Sequence, residues 1–152
     1  MRRAFAMLSA PLDHEAIAAL VPHAGSMCLL HRAEAWDADR ISCSALSHAD
    51  PRNPLRRDGL LPAICGVEYA LQAMALHGAL TGDGPQPAGF LASLRGVDLH
   101  ADRLDGQPSP LKVEAVALAR EARSFIYGFT LAADGRVLVA GQAAVILPAV
   151  SR

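Results

Sequence analysis

Apolar and polar positions change their spacing along this chain, and the changes divide it into elements. "DHEAIAALV" from Asp13 reads as a short helix. Asp13 can cap it, Glu15 suits its first turn and Pro22 stops it. "MCLLHRAEAW" (27–36) and "RISCSALS" (40–47) read as two strands, with "DADR" as the hairpin turn between them. Residues 48–61, "HADPRNPLRRDGLL", hold two prolines, a glycine and three arginines and read as a loop. Pro62 stands where a helix would start, and proline is tolerated in a first turn. From Ala63, Ile64, Val67, Leu71, Met74, Ala75 and Gly78 follow the i, i+3, i+4, i+7 spacing of one helix face. The spacing predicts a helix over 63–80, closed by "TGDGPQP" (81–87).

Beyond that point the period changes. "AGFLASLRGVDLHADR", "LKVEAVALAR", "SFIYGFTLAA" and "RVLVAGQAAVIL" are four strand-like runs. "LKVEAVAL" alternates as a half-buried strand does. "ADGR" is a hairpin signal, because Asp-Gly accepts the positive φ of a tight turn. A helix, two strands, one long apolar helix and four strands predict an α+β fold. In it a curved antiparallel sheet wraps around the central helix. We expect one domain over 1–152, with 1–11 as an N-terminal extension.

Composition narrows the classes. Of 152 residues, 52% are hydrophobic and 19% charged, which is a composition that folds. The net charge of -1 gives no global attraction to nucleic acid. No apolar run reaches the roughly 18 residues of a membrane span. "MRRAFAMLSAPLDHE" begins like a signal peptide, but Pro11 and Asp13 end its apolar part early. A cytoplasmic protein is expected. Cys28, Cys43 and Cys65 are widely spaced and form no C-x-x-C, so they read as small buried hydrophobes. No histidine and acid spacing suggests a metal site, and no cofactor is expected.

One residue stands out. Glu68, in "ICGVEYALQAM", is the only acid between Leu60 and Leu80, a stretch that also lacks Lys and Arg. The bland reading is a solvated glutamate. The other is an acid kept in a partly dry place for chemistry.

The element order, "VPHAGSMCLLHRAEAW" and "LPAICGVEYALQAMA" resemble the hot-dog-fold 3-hydroxyacyl-(acyl carrier protein) dehydratases. Pro62, Glu68 and Gln72 stand where that family keeps proline, glutamate and glutamine. "GFLASLRGVDLHADRL" resembles its first long strand after the helix, and the resemblance covers roughly residues 12–148. The housekeeping members carry a catalytic histidine in "H-F-P-G" about fourteen residues before the glutamate. Here that place is Pro54, in "PRNPLRR". The aryl-polyene branch lacks "H-F-P-G" and has a "P-H-x-x-P-M"-like string before the first strand. Pro22, His23 and Met27 correspond to it, with Ser26 in place of the second proline.

The resemblance implies dehydration of a 3-hydroxyacyl thioester in fatty-acid or polyene-type lipid synthesis. That reaction needs a base at C2, an acid at the leaving hydroxyl and a donor to the thioester oxygen. Histidine titrates in the useful range, and an apolar site raises a carboxyl into it. We expect His23 as base and Glu68 as acid. Gln72, one turn on, is expected to hold the carboxylate. The helix start around Ala63 and Ile64 is expected to bind the substrate carbonyl through free N–H groups. Arg52, Arg56 and Arg57 are candidates for the carrier protein or its phosphopantetheine arm. A solvated loop is the plain alternative for them.

His48 is expected in a loop and His77 at the surface or an interface. His31 and His100 are expected to be structural. The family also implies a homodimer at least, with His23 and Glu68 of one site drawn from different subunits. Two alternatives share this framework: a thioesterase using the helix acid, and a non-catalytic acyl-binding module.

Overall fold

The computed structural model describes residues 11–23, 25–82 and 89–148. The signal-like start and most of "TGDGPQP" lie outside these residues. Helix α1 spans His14–Leu20. Strands β1 (Arg32–Trp36) and β2 (Arg40–Ala45) follow. The central helix α2 (Gly66–Thr81) is preceded by a 3-10 turn, Ala63–Cys65. Strands β3 (Phe90–Leu99), β4 (Leu111–Arg120), β5 (Ser124–Ala133) and β6 (Arg136–Ile146) complete the order.

The six strands form one antiparallel sheet in the order β1-β2-β4-β5-β6-β3. This is the hot-dog arrangement, with α2 packed against β2, β4 and β5. Alternation does the work in the middle of the sheet. Ile41 and Cys43, Leu111, Val113 and Ala115, and Tyr127, Phe129 and Leu131 are all buried. Small residues let α2 lie close to them. A Cβ on Gly66 would stand 3.1 Å from Leu131 Cδ2 and 3.3 Å from Val139 Cγ2.

The local signals act as their chemistry predicts. Asp13 Oδ1 accepts from Ala16 N–H at 2.9 Å and caps α1. Asp37 Oδ1 accepts from the N–H groups of Asp39 (2.8 Å) and Arg40 (3.0 Å), which turns β1 into β2. Asp134 and Gly135 take φ of 52° and 76° in the β5–β6 hairpin.

Two boundaries differ from expectation. Residues 27–31 do not belong to β1, because side chains rather than a neighbouring strand bind much of their backbone. The axis of α2 begins at Gly66 rather than Ala63. Strand β3 is distinctive, being an edge strand exposed along almost its whole length, with Phe90 65% exposed and Leu99 49%.

Candidate active site

Along α2, positions 68, 71, 75 and 78 fall on one stripe. They line a cavity of about 300 Å³ together with Met74. The far wall comes from Phe125 and Tyr127 of β5, Val145 of β6, Leu147 just beyond it, and Gly89 and Leu91 at the start of β3. Pro22 and His23 close one side. From Glu68 to Gly78 the helix rises about 15 Å at about 1.5 Å per residue, so the lined stripe is long and narrow. Most of it is apolar, and apart from the Tyr127 phenol its ionisable side chains among the described residues are His23 and Glu68. Both line this cavity from within one chain.

Neither side chain is tied up. Glu68 is half-buried and makes no hydrogen bond or ion pair among the described residues. His23 Nδ1 is buried and has no hydrogen-bond partner among them. A buried, unpartnered ring nitrogen is costly unless something else meets it.

Gln72 does not hold Glu68. It is fully buried and absent from the cavity wall. Its amide donates from Nε2 to the Met27 carbonyl at 2.5 Å, and its Oε1 accepts from Leu29 N–H at 2.8 Å. Ser47 Oγ donates to the Leu29 carbonyl at 2.8 Å, and His14 Nδ1 lies 2.8 Å from the Leu30 carbonyl. Three side chains therefore fix the segment that follows His23.

At the helix start, several of the N–H groups are engaged within this chain. Ala63 is buried and its N–H donates to the Asp102 carbonyl at 3.0 Å. Cys65 N–H donates to the Pro62 carbonyl, and Gly66 N–H to Ala63 and Ile64. The Ile64 side chain is 48% exposed and does not line the cavity. Leu61 N–H and Arg103 both engage Asp105, which is held down to about 2, first by the Arg103 hydrogen bond. The donors thus fasten α2 to the 102–105 segment.

The three arginines divide. Arg56 donates to the carbonyls of Asp50 (3.0 Å), Gly59 (2.6 Å) and His48 (3.0 Å), so it closes its own loop and is not free for a phosphate. Arg52 is exposed and pairs with Asp50 at 3.3 Å. Arg57 is exposed, with no side-chain bond among the described residues.

Two histidines are buried, His48 within its loop and His77 deeper than the surface or interface place expected for it. His48 is buried, with Nε2 donating toward the carbonyls of Gln107 (3.1 Å) and Ser109 (3.0 Å). His77 is fully buried. A carbonyl can only accept, so its Nε2–H donates to Asp37 O at 2.8 Å. Nδ1 then accepts from the Tyr127 hydroxyl at 2.7 Å. Burial lowers the pKa of both histidines and lifts Tyr127 to about 12. Tyr127 is a polar residue of the cavity wall that the sequence did not reveal. Its neighbour His77 was the available signal, as a polar residue within an apolar helix run. No group of three or more His, Cys, Asp or Glu assembles among the described residues.

Fold and cavity define a hot-dog protein with an acid and a histidine on an apolar channel. The chain belongs to the ApeP-like family, described as ApeP dehydratase, whose profile matches residues 15–152. It is a dehydratase of the aryl-polyene branch, a hydro-lyase. No curated protein matches it. Among solved structures it is similar to the dehydratase heterocomplex ApeI:P from Xenorhabdus doucetiae. The identity there is 21%, over 91% of this chain and 92% of that one, with a TM-score of 0.75. It is also similar to a mutant of the thioesterase PA1618 from Pseudomonas aeruginosa, at 19% identity, 77% and 81% coverage and a TM-score of 0.55. Both likenesses speak for the fold. No helix among the described residues is long and apolar enough to cross a membrane.

Proposed function

We propose that the substrate is a 3-hydroxyacyl thioester on the phosphopantetheine arm of an acyl carrier protein, and that His23 and Glu68 remove water from it. The supporting observation is that His23, with a buried nitrogen unpartnered among the described residues, and Glu68, with no partner among them, line one mostly apolar cavity. His23 takes the C2 proton. The C2–C3 double bond forms as the C3–O bond breaks, and Glu68 delivers a proton to the departing hydroxyl. Proton return from His23 to Glu68 through the released water resets the pair. The acyl chain lies along Leu71, Ala75 and Gly78.

Incubation with 3-hydroxyacyl-pantetheine thioesters tests this reading. Enoyl thioester from the wild type, and its loss in folded Glu68→Gln and His23→Ala variants, is the expected result. Free thiol in place of enoyl product would make the protein a thioesterase. Saturable binding with neither product would make it an acyl-binding module.

The exposed apolar edge of β3 suits a second hot-dog chain that continues the sheet. The ApeI:P structure is a heterocomplex, so the partner is either a second copy or a related dehydratase chain. Light scattering of the chain alone, and mixed with such a chain, separates the two. Arg57 is the arginine left to meet an acidic, cytoplasmic carrier protein.

A further inference from the structure

Gln72 has an amide in two hydrogen bonds that connect the helix of Glu68 to the segment of His23. We propose that Gln72 is a positioning residue for the dehydration, acting through that segment; this rests on the His23–Glu68 reading above. Gln72 lies one turn from Glu68 on α2 and is fully buried. Residues 28–31 have no regular strand pairing of their own. The Leu29 N–H is held by Gln72, and the Leu29 carbonyl by Ser47. Gln72 also holds the Met27 carbonyl. Nothing else in this segment is anchored to α2 by a hydrogen bond among the described residues. The direct hydrogen-bonded link between this segment and α2 is thus one amide that presents a donor and an acceptor together. A side chain with only one of these functions cannot do the same.

Two substitutions test this. Gln72→Met keeps the length and removes both bonds. Gln72→Glu keeps the acceptor toward Leu29 but sets a carboxylate against the Met27 carbonyl. When that introduced carboxyl is protonated, it again offers one donor and one acceptor. The expected result for folded Gln72→Met is a fall in kcat on the order of 10²-fold, with KM within about twofold. For Gln72→Glu, activity relative to wild type at the same pH rises as pH falls, and Gln72→Met shows no such recovery.

The imidazole NMR signals of His23 provide an arm that needs no substrate. They shift or broaden in both variants if the segment moves. A folded Gln72→Met with kcat within twofold of wild type, or with unmoved His23 signals, overturns the proposal. If Gln72→Met does not fold, the pH-dependent recovery of Gln72→Glu decides, and its absence overturns the proposal. If the wild type dehydrates nothing, the reading of the reaction fails. The His23 signals still decide whether Gln72 sets that segment.

Discussion

Along α2, Leu71, Ala75 and Gly78 face a cavity, whereas Ala70, Ala73 and His77, one step round the same helix, are closed against strands. Each side carries polar groups, and they are treated in opposite ways. On the closed side, Gln72 and His77 have both ends of their side chains hydrogen-bonded. On the cavity side, Glu68 has no partner among the described residues, and neither does Nδ1 of His23. A polar group that is fully satisfied contributes to one fixed structure. A polar group left open in a dry channel remains available to a substrate.

The contrast can be broken most sharply at Glu68. Glu68→Gln should lower dehydration on the order of 10²–10⁴-fold, while the melting temperature stays within about a degree, because no intramolecular bond is lost. Enoyl formation and a thermal scan on the same preparation check both halves. Next in size is Ala75→Leu, which fills the middle of the channel. Turnover of long acyl chains should fall about tenfold or more through lost space, while the shortest 3-hydroxyacyl thioesters keep near wild-type rates. A uniform fall across chain lengths would mean that the acyl chain lies elsewhere.

On the closed side the effect should be on stability instead. His77→Leu leaves the Tyr127 hydroxyl and the Asp37 carbonyl without their partner, at a cost of about 1–3 kcal/mol. Denaturant melts read this directly. The wild type should also show a pH signature. Burial lowers the folded-state pKa of His48 and His77 below the ordinary value of 6.5. Below 6.5 the unfolded chain binds protons that the folded chain refuses. Stability is therefore full above that value and is lost as pH falls toward the folded pKa. Asp105, at about 2 against a model-peptide 3.8, adds its loss only in stronger acid. In His77→Leu the decline just below pH 6.5 should be shallower. The smallest effect is expected at Arg57, where Arg57→Glu should raise KM severalfold for carrier-bound substrate and leave a pantetheine thioester unaffected. Arg56→Ala should do the reverse, lowering stability with little change in KM, since Arg56 binds its own loop.

The strands and the central helix were legible because period-2 alternation and the i, i+3, i+4 stripe are direct consequences of burial on one side. Asp13, Asp37 and Asp134–Gly135 marked turns whose chemistry is local. Glu68 was legible from its setting and His23 through the family resemblance, and both line one cavity. The partners of polar side chains were not legible. Gln72 was paired with Glu68 on helical spacing, yet it bonds Met27 and Leu29, which lie far away in sequence. The stretch 27–31 looked like strand for the same reason, since its apolar pattern is right but its backbone answers to Gln72 and Ser47. Arg56 and Arg57 are adjacent in the sequence, yet Arg56 is bound into its loop and Arg57 is exposed, and only the path of the loop separates them. His77 was misplaced because sequence does not show which carbonyl will be left over for it.

Strand β3 has a consequence for how the chain is made. Its one neighbour in the sheet is β6, the last strand in the sequence. During synthesis, Phe90–Leu99 emerges well before Arg136–Ile146 exists to pair with it. The strand with the most exposed apolar side chains is thus the one that waits longest for a template. Pairing across such a sequence separation is slow and leaves an unpaired edge in the interim. A chain interrupted before Arg136 would hold β3 with no place in the sheet at all, and aggregation of such fragments would begin there.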